Sequence, residues 1–129
     1  MLPDYWTVFA AVVLPYAPYL VASAEKTRRG LYDPANPRAS DGALEAPSRR
    51  ARFAETNSWE ALASYAAISW IAHAAGADPA LLFPIGVAWV LARALYITAY
   101  VAGWGRTRIA MWSLSVVLLL ARMGVAVWG

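Results

Sequence analysis

The chain has 129 residues, 60% of them hydrophobic and 15% charged, with a formal net charge of +3 and a mean hydropathy of +0.45. A soluble domain carries about 25% charge and about 45–50% apolar residues, so this composition cannot cover a water-facing surface, and an integral membrane protein is expected. Zero cysteines and one histidine exclude disulfide scaffolds, a cysteine nucleophile and a metal cluster, and at about 20 residues per span no length is left for a separate catalytic domain.

Residues 5–24 carry no charge and are long enough for a first span. Pro15 and Pro18 within it predict a bend whose freed carbonyls need partners in neighbouring helices. Ala22-Ser23-Ala24 resembles a signal-peptide cleavage site, but Asp4 and the lack of an early Lys or Arg leave no positive leader region, so the segment is expected to be retained. Residues 25–52 hold seven of the eleven Lys and Arg, three prolines and two glycines, and form a loop that cannot span. A basic stretch beside a span is a topology signal before it is a nucleic-acid signal, and no nucleic-acid partner is expected.

A second span is expected over residues 53–76, apolar apart from Glu55, Asn57, Glu60 and His73. A third covers 81–102, interrupted by Arg93, and a fourth covers 109–128, containing Arg122. The basic loop and the basic 103–108 connector fall on one side of a four-span chain. The excess of positive charge places that side in the cytoplasm and both termini opposite. Trp6, Trp104, Trp112 and Trp128 stand near span ends, where interfacial aromatic belts form.

Charges at membrane depth are expensive and usually face a bundle interior or an aqueous cavity. Counted from the cytoplasmic face at 1.5 Å per residue, Glu60 lies about 10 Å deep and Asn57 about 6 Å; Arg93, Tyr96 and Tyr100 lie at about 14, 9 and 3 Å. Asn57, Glu60 and Ser64 share one helical face, and Trp89, Arg93, Tyr96 and Tyr100 share another. If the faces meet, they form a polar cavity open to the cytoplasm. Glu60 and Arg93 then either help to bind a ligand or form an interhelical ion pair with Asn57 as glue; the spacing leaves both open. Arg122, about 10 Å from the far interface, is expected to snorkel outward, and a structural role is expected for it and for His73. Small residues four apart, as at Ala63/Ala67 and Ala88/Ala92, allow close helix contact and homo-oligomers.

Arg50-x-Arg52-x4-Asn57-x2-Glu60 and Arg93-x2-Tyr96-x3-Tyr100, followed by Arg108 and Trp112, resemble the second-helix and third-helix signatures of the MAPEG family, the membrane-associated proteins of eicosanoid and glutathione metabolism. The segments at 32–38 and 57–61 are most similar to its bacterial inner-membrane branch. The resemblance implies an all-α four-helix bundle in the inner (plasma) membrane, assembled as a homotrimer, with glutathione as co-substrate and no metal. It implies that Asn57 and Glu60 hold the peptide and its amino end, that Arg93, Tyr96 and Tyr100 come from the third helix of an adjacent protomer, and that Arg50 and Arg52 take carboxylates. It further implies an arginine that activates the thiol, with Arg108 the first candidate and Arg29 the second. Two functions stay open on this ground. One is a glutathione-dependent transferase or peroxidase acting on a hydrophobic electrophile; the other is a non-catalytic accessory subunit of a larger membrane complex, or a small-ligand binder, that retains the fold.

Overall fold

The computed structural model describes residues 3–129 and is all-helical, with no strand among the described residues. Helix α1 (Asp4–Val13) and helix α2 (Tyr16–Arg28) are two arms of one bent rod. The break falls at Pro15, as its missing N–H and ring sterics demand, and both Pro15 and Pro18 are buried. A loop with a short 3₁₀ turn at Asp41–Ala43 leads to helix α3 (Ala46–Ala74). Helix α4 (Pro79–Ala102) and helix α5 (Gly105–Trp128) complete four rods, counting the bent first one once.

The helices outrun the apolar segments. α2 continues to Arg28, and α3 starts at Ala46 with proline in its first turn, so the connector expected over 25–52 shortens to residues 29–45. Hydropathy marks where lipid contact ends, whereas Pro47 and the helix-forming run after it decide where the hydrogen-bonded turns begin. Three rods are long and apolar enough to cross a membrane, namely Asp4–Arg28 across the bend, Pro79–Ala102 and Gly105–Trp128. α3 misses that level of hydropathy because Asn57, Glu60, His73 and several serines interrupt it. It holds the middle of the bundle instead, packing against α1, α2, α4 and α5. Large apolar side chains such as Trp70, Leu91, Val117 and Leu120 are exposed on the outer surface, as lipid-facing positions are.

The centre is a stack of Tyr65 on Trp89, with ring centroids 4.1 Å apart. The Tyr65 hydroxyl shares a 2.5 Å hydrogen bond with Thr7 Oγ1, which ties α3 to α1. Gly86 makes this possible on α4: a Cβ there would lie 2.6 Å from Tyr65 Oη and 2.8 Å from Thr7 Oγ1.

Toward the chain termini, Arg122 turns inward. Its guanidinium is fully buried and donates to both carboxylate oxygens of Asp4, to Ser69 Oγ at 3.2 Å and to the Leu82 carbonyl at 2.9 Å. His73 Nε2 lies 2.9 Å from Asp4 Oδ2. The expected snorkelling is therefore overturned: a counter-ion on α1 and acceptors on two other helices satisfy Arg122 inside the bundle. The structural role expected for Arg122 and His73 agrees with these contacts.

Candidate functional site

The site lies where α3, α4 and α5 meet near the basic loop. Asp78 caps α4 by accepting from Ala80 N at 2.8 Å, and Pro79 opens the helix. At the other end Gly103, with φ of 80°, terminates α4 in the left-handed conformation that glycine adopts without steric cost. Arg50 reinforces that end by donating Nε and Nη2 to the Val101 carbonyl at 3.1 and 2.9 Å, a cation placed at the negative pole of the helix dipole. Only Gly103 and Trp104 separate α4 from α5. The chain therefore reverses tightly, and Arg108 in the first turn of α5 returns to lie over the Tyr100 ring, 4.7 Å from its centroid.

The two polar faces read from the spacing do meet, and they meet within one chain. Arg93 Nη2 donates to Asn57 Oδ1 at 2.8 Å, and its guanidinium lies 4.1 Å from the centroid of the Tyr96 ring. Tyr96 and Tyr100 pack edge-to-face at 5.7 Å. Glu60 is exposed, and among the described residues it forms no ion pair. The ion-pair alternative read from the spacing is thereby corrected within the chain: Arg93 bonds Asn57 and not Glu60. Residues 57 and 93 face each other because α3 and α4 run antiparallel with matched depth; one helical turn separates Glu60 from that contact.

Two adjoining clefts share Asn57 and Trp112. One, of about 290 Å³, is lined by Phe53, Tyr96, Tyr100, Arg108 and Ile109 as well. The other, of about 240 Å³, includes Glu60, Ser64, Trp89 and Arg93. The first has an aromatic and apolar wall with one cation, and the second has a guanidinium and a carboxylate. Phe53, Ile109 and Trp112 are additions from the structure. In the sequence Trp112 stands as an interfacial aromatic and as part of the third-helix resemblance, without a binding role, and nothing in the helical periodicity turns Ile109 toward the site.

The remaining candidates are engaged elsewhere. Arg29 donates to Glu25 Oε1 at 2.6 Å and to the Ala43 carbonyl at 2.9 Å. Arg52 donates to Asp41 Oδ2 at 3.1 Å and to Glu55, and Arg50 caps α4. Neither Arg29 nor Arg50 nor Arg52 lines either cleft. Asp41 is also bound by Lys26. Partial burial pushes its carboxyl up, but the hydrogen bonds from Lys26 and Arg52 outweigh burial and hold it below the ordinary value. Among the described residues no group of three or more His, Cys, Asp or Glu could hold a metal ion.

The profile of the MAPEG family matches residues 3–128. Comparison with curated proteins gives no match, and comparison with solved structures gives none.

Proposed function

The chain belongs to the MAPEG family, which includes glutathione transferases and peroxidases as well as non-catalytic members, and on that premise we propose a membrane glutathione transferase or peroxidase that acts on a hydrophobic electrophile. The observation that carries this reading is Arg93. The residue is 2% exposed, yet among the described residues its side chain's only hydrogen bond goes to the neutral amide of Asn57. A buried cation without a counter-ion costs several kcal/mol, so an anion from outside the chain accounts for its presence.

Glutathione offers two carboxylates and one ammonium. Arg93 with Asn57 suits a carboxylate, for which a guanidinium fork is shaped, and the unpaired carboxylate of Glu60 suits the ammonium. These donors and acceptors fit the co-substrate. Arg108 is the fixed cation of the adjoining cleft, and a cation beside a thiol lowers its pKa from about 8.5 toward neutrality. Phe53, Ile109 and Trp112 give an apolar wall where a hydrophobic electrophile can settle against Arg108. Bound there, the thiol supplies a sulfur nucleophile that either forms a C–S bond as the leaving group departs with its electron pair, or, with a second thiol, reduces a hydroperoxide to alcohol and water and ends as disulfide.

We place this protein in a bacterial inner membrane, with α3 as a fourth crossing, the basic loop cytoplasmic and both termini outside. The support is the clustering of Lys and Arg in two connectors on one side, together with a length for α3 of about 44 Å at 1.5 Å per residue. We further place it in a homotrimer, since exposed Glu60 and the small-residue stripes of α3 call for protein neighbours within the bilayer. A second reading, a non-catalytic accessory subunit, is favoured by one observation: Arg29, Arg50 and Arg52 each bond internal acceptors and none lines either cleft, so none is placed for a second carboxylate. Calorimetry with glutathione on the detergent-purified oligomer separates the two. Saturable binding that disappears in correctly assembled Glu60→Gln and Arg93→Ala variants supports the site, turnover of an electrophile with the bound thiol supports the enzyme, and no binding at millimolar glutathione leaves the accessory subunit.

A further inference from the structure

A second polar pocket, of about 250 Å³, lies between α2, α3 and the loop. Its loop side is Tyr32, Pro37 and Arg38, from a segment for which the glutathione site has no use. Asp33 holds a tight turn there: its carboxylate accepts from Ala35 N at 2.9 Å and from Asn36 Nδ2 at 3.2 Å, and its carbonyl accepts from Asn36 N at 3.1 Å. The Asn36 side chain, and after it the Ala35 N–H, keep that carboxyl below its ordinary value. Pro34 and Pro37 restrict the backbone on either side. Lys26 then staples the turn to α2 by donating to the Pro37 carbonyl at 2.6 Å. The result is a preorganised loop that brings Tyr32 and Arg38 to the same pocket as Lys26 and Arg52.

The donors in this pocket are not used up. The Arg38 side chain makes no hydrogen bond or ion pair among the described residues, and Arg52 spends Nε and Nη1 on Asp41 and Glu55 while Nη2 has no partner among them. Of the charged residues that line the pocket, Lys26 and Arg52 are bound by Asp41 and Glu55, whereas Arg38 has no carboxylate partner among the described residues. Tyr19 and Ser23 on α2 add hydroxyls to the lining. Tyr19 and the neighbouring Leu20 are exposed on the same helix, at the end of an apolar span.

We propose that this pocket holds the phosphodiester headgroup of an anionic glycerophospholipid in the leaflet beside the basic loop. Whereas in phosphatidylcholine the choline cation cancels the charge of the phosphodiester, an anionic headgroup brings the net negative charge that Arg38 lacks. Its oxygens accept from Arg38, from the free edge of Arg52 and from the tyrosine and serine hydroxyls, while its acyl chains lie along Tyr19 and Leu20 on α2. Anionic lipids are drawn to juxtamembrane Lys and Arg, and basic pockets beside transmembrane helices select their headgroups. A free phosphate would gain nothing from the apolar flank of α2.

Native mass spectrometry of the intact oligomer in equimolar phosphatidylglycerol and phosphatidylcholine tests this. The wild type is expected to retain phosphatidylglycerol about fivefold over phosphatidylcholine, the ratio matching about 1 kcal/mol for one cation near the surface. Arg38→Gln, which removes no side-chain hydrogen bond or ion pair seen among the described residues, brings the ratio close to one, whereas Arg106→Gln in the other basic connector leaves it unchanged. Millimolar inorganic phosphate leaves the adduct in place, and glutathione binding is the same in Arg38→Gln as in wild type. A wild type without preference overturns the proposal. So does a ratio that falls equally in Arg106→Gln, which means diffuse surface charge, or displacement by inorganic phosphate, which means a free-anion site.

Discussion

Removing Asp4 tests the buried polar network most sharply. Arg122 and Asp4 are both 0% exposed, and the carboxylate is the only formal negative charge paired with that guanidinium among the described residues. Asp4→Leu leaves Arg122 with Ser69 Oγ and the Leu82 carbonyl, two neutral acceptors for a full positive charge in an apolar bundle. Breaking a buried pair from one side costs about 3–5 kcal/mol. Replacing both partners with apolar groups of similar volume is often neutral or better, because the desolvation penalty of both ions disappears together. Asp4→Leu and Arg122→Met are thus each expected to lower stability by about 3 kcal/mol or more, whereas the double variant falls below either single one in cost. The assay is reversible unfolding in mixed micelles, analysed as a double-mutant cycle. The double change also leaves His73 without its acceptor and Ser69 without a donor, which adds about 1 kcal/mol to its cost. Costs that sum across the cycle, or singles within about 0.5 kcal/mol of wild type, would show that the two charges do not depend on each other and refute the reasoning.

Other outcomes follow from single contacts. Gly86→Ala drives a methyl group to within 2.6 Å of the Tyr65 hydroxyl and 2.8 Å of Thr7 Oγ1, so unfolding in micelles should show a loss of about 1–3 kcal/mol typical of overpacking. Asp41 titrates with a lowered value in the folded protein. Its contribution to holding the loop is complete above the unfolded value of 3.8 and is lost as the pH falls below that through the folded value. Protection against hydrogen exchange in residues 29–45, taken relative to the intrinsic rate at each pH, should fall across that window, and Asp41→Asn should show low protection at neutral pH with little further loss in acid. Arg108→Ala should keep glutathione binding within a few-fold but raise the bound thiol's pKa toward about 8.5. A spectroscopic titration of the thiolate would record that shift, and an unchanged titration would remove Arg108 from the activating role.

Much of the architecture was legible in the residues. Composition and the long uncharged runs pointed to a helical membrane protein, because too few charges exist to cover a soluble surface, and three helices are long and apolar enough to cross a membrane. Pro15 and Pro18 announced the bend, since a missing N–H acts locally whatever surrounds it. Helical spacing grouped Asn57 with Glu60, and Arg93 with Tyr96 and Tyr100, because 3.6 residues per turn sets which side chains share a face. Recognition of the family rested on the same short motifs, and the match to residues 3–128 supports it along nearly the whole chain.

What the tertiary structure decided is which faces meet and which donor finds which acceptor. Depth matching brought Glu60 and Arg93 to comparable levels, but one turn of α3 separates Glu60 from Asn57, and it is Asn57 that receives the guanidinium. Arg122 could reach either the interface or the bundle centre. The inward choice depends on Asp4, a partner 118 residues away in sequence, whose position follows only after α1 packs beside α3 and α4. Arg29, Arg50 and Arg52 looked alike as members of a basic loop, yet each is committed to a different local acceptor. Periodicity and propensity act over a few residues and can be read along the chain. The pairing of charges depends on the rotation and mutual packing of whole helices, and that information exists only once the bundle has formed.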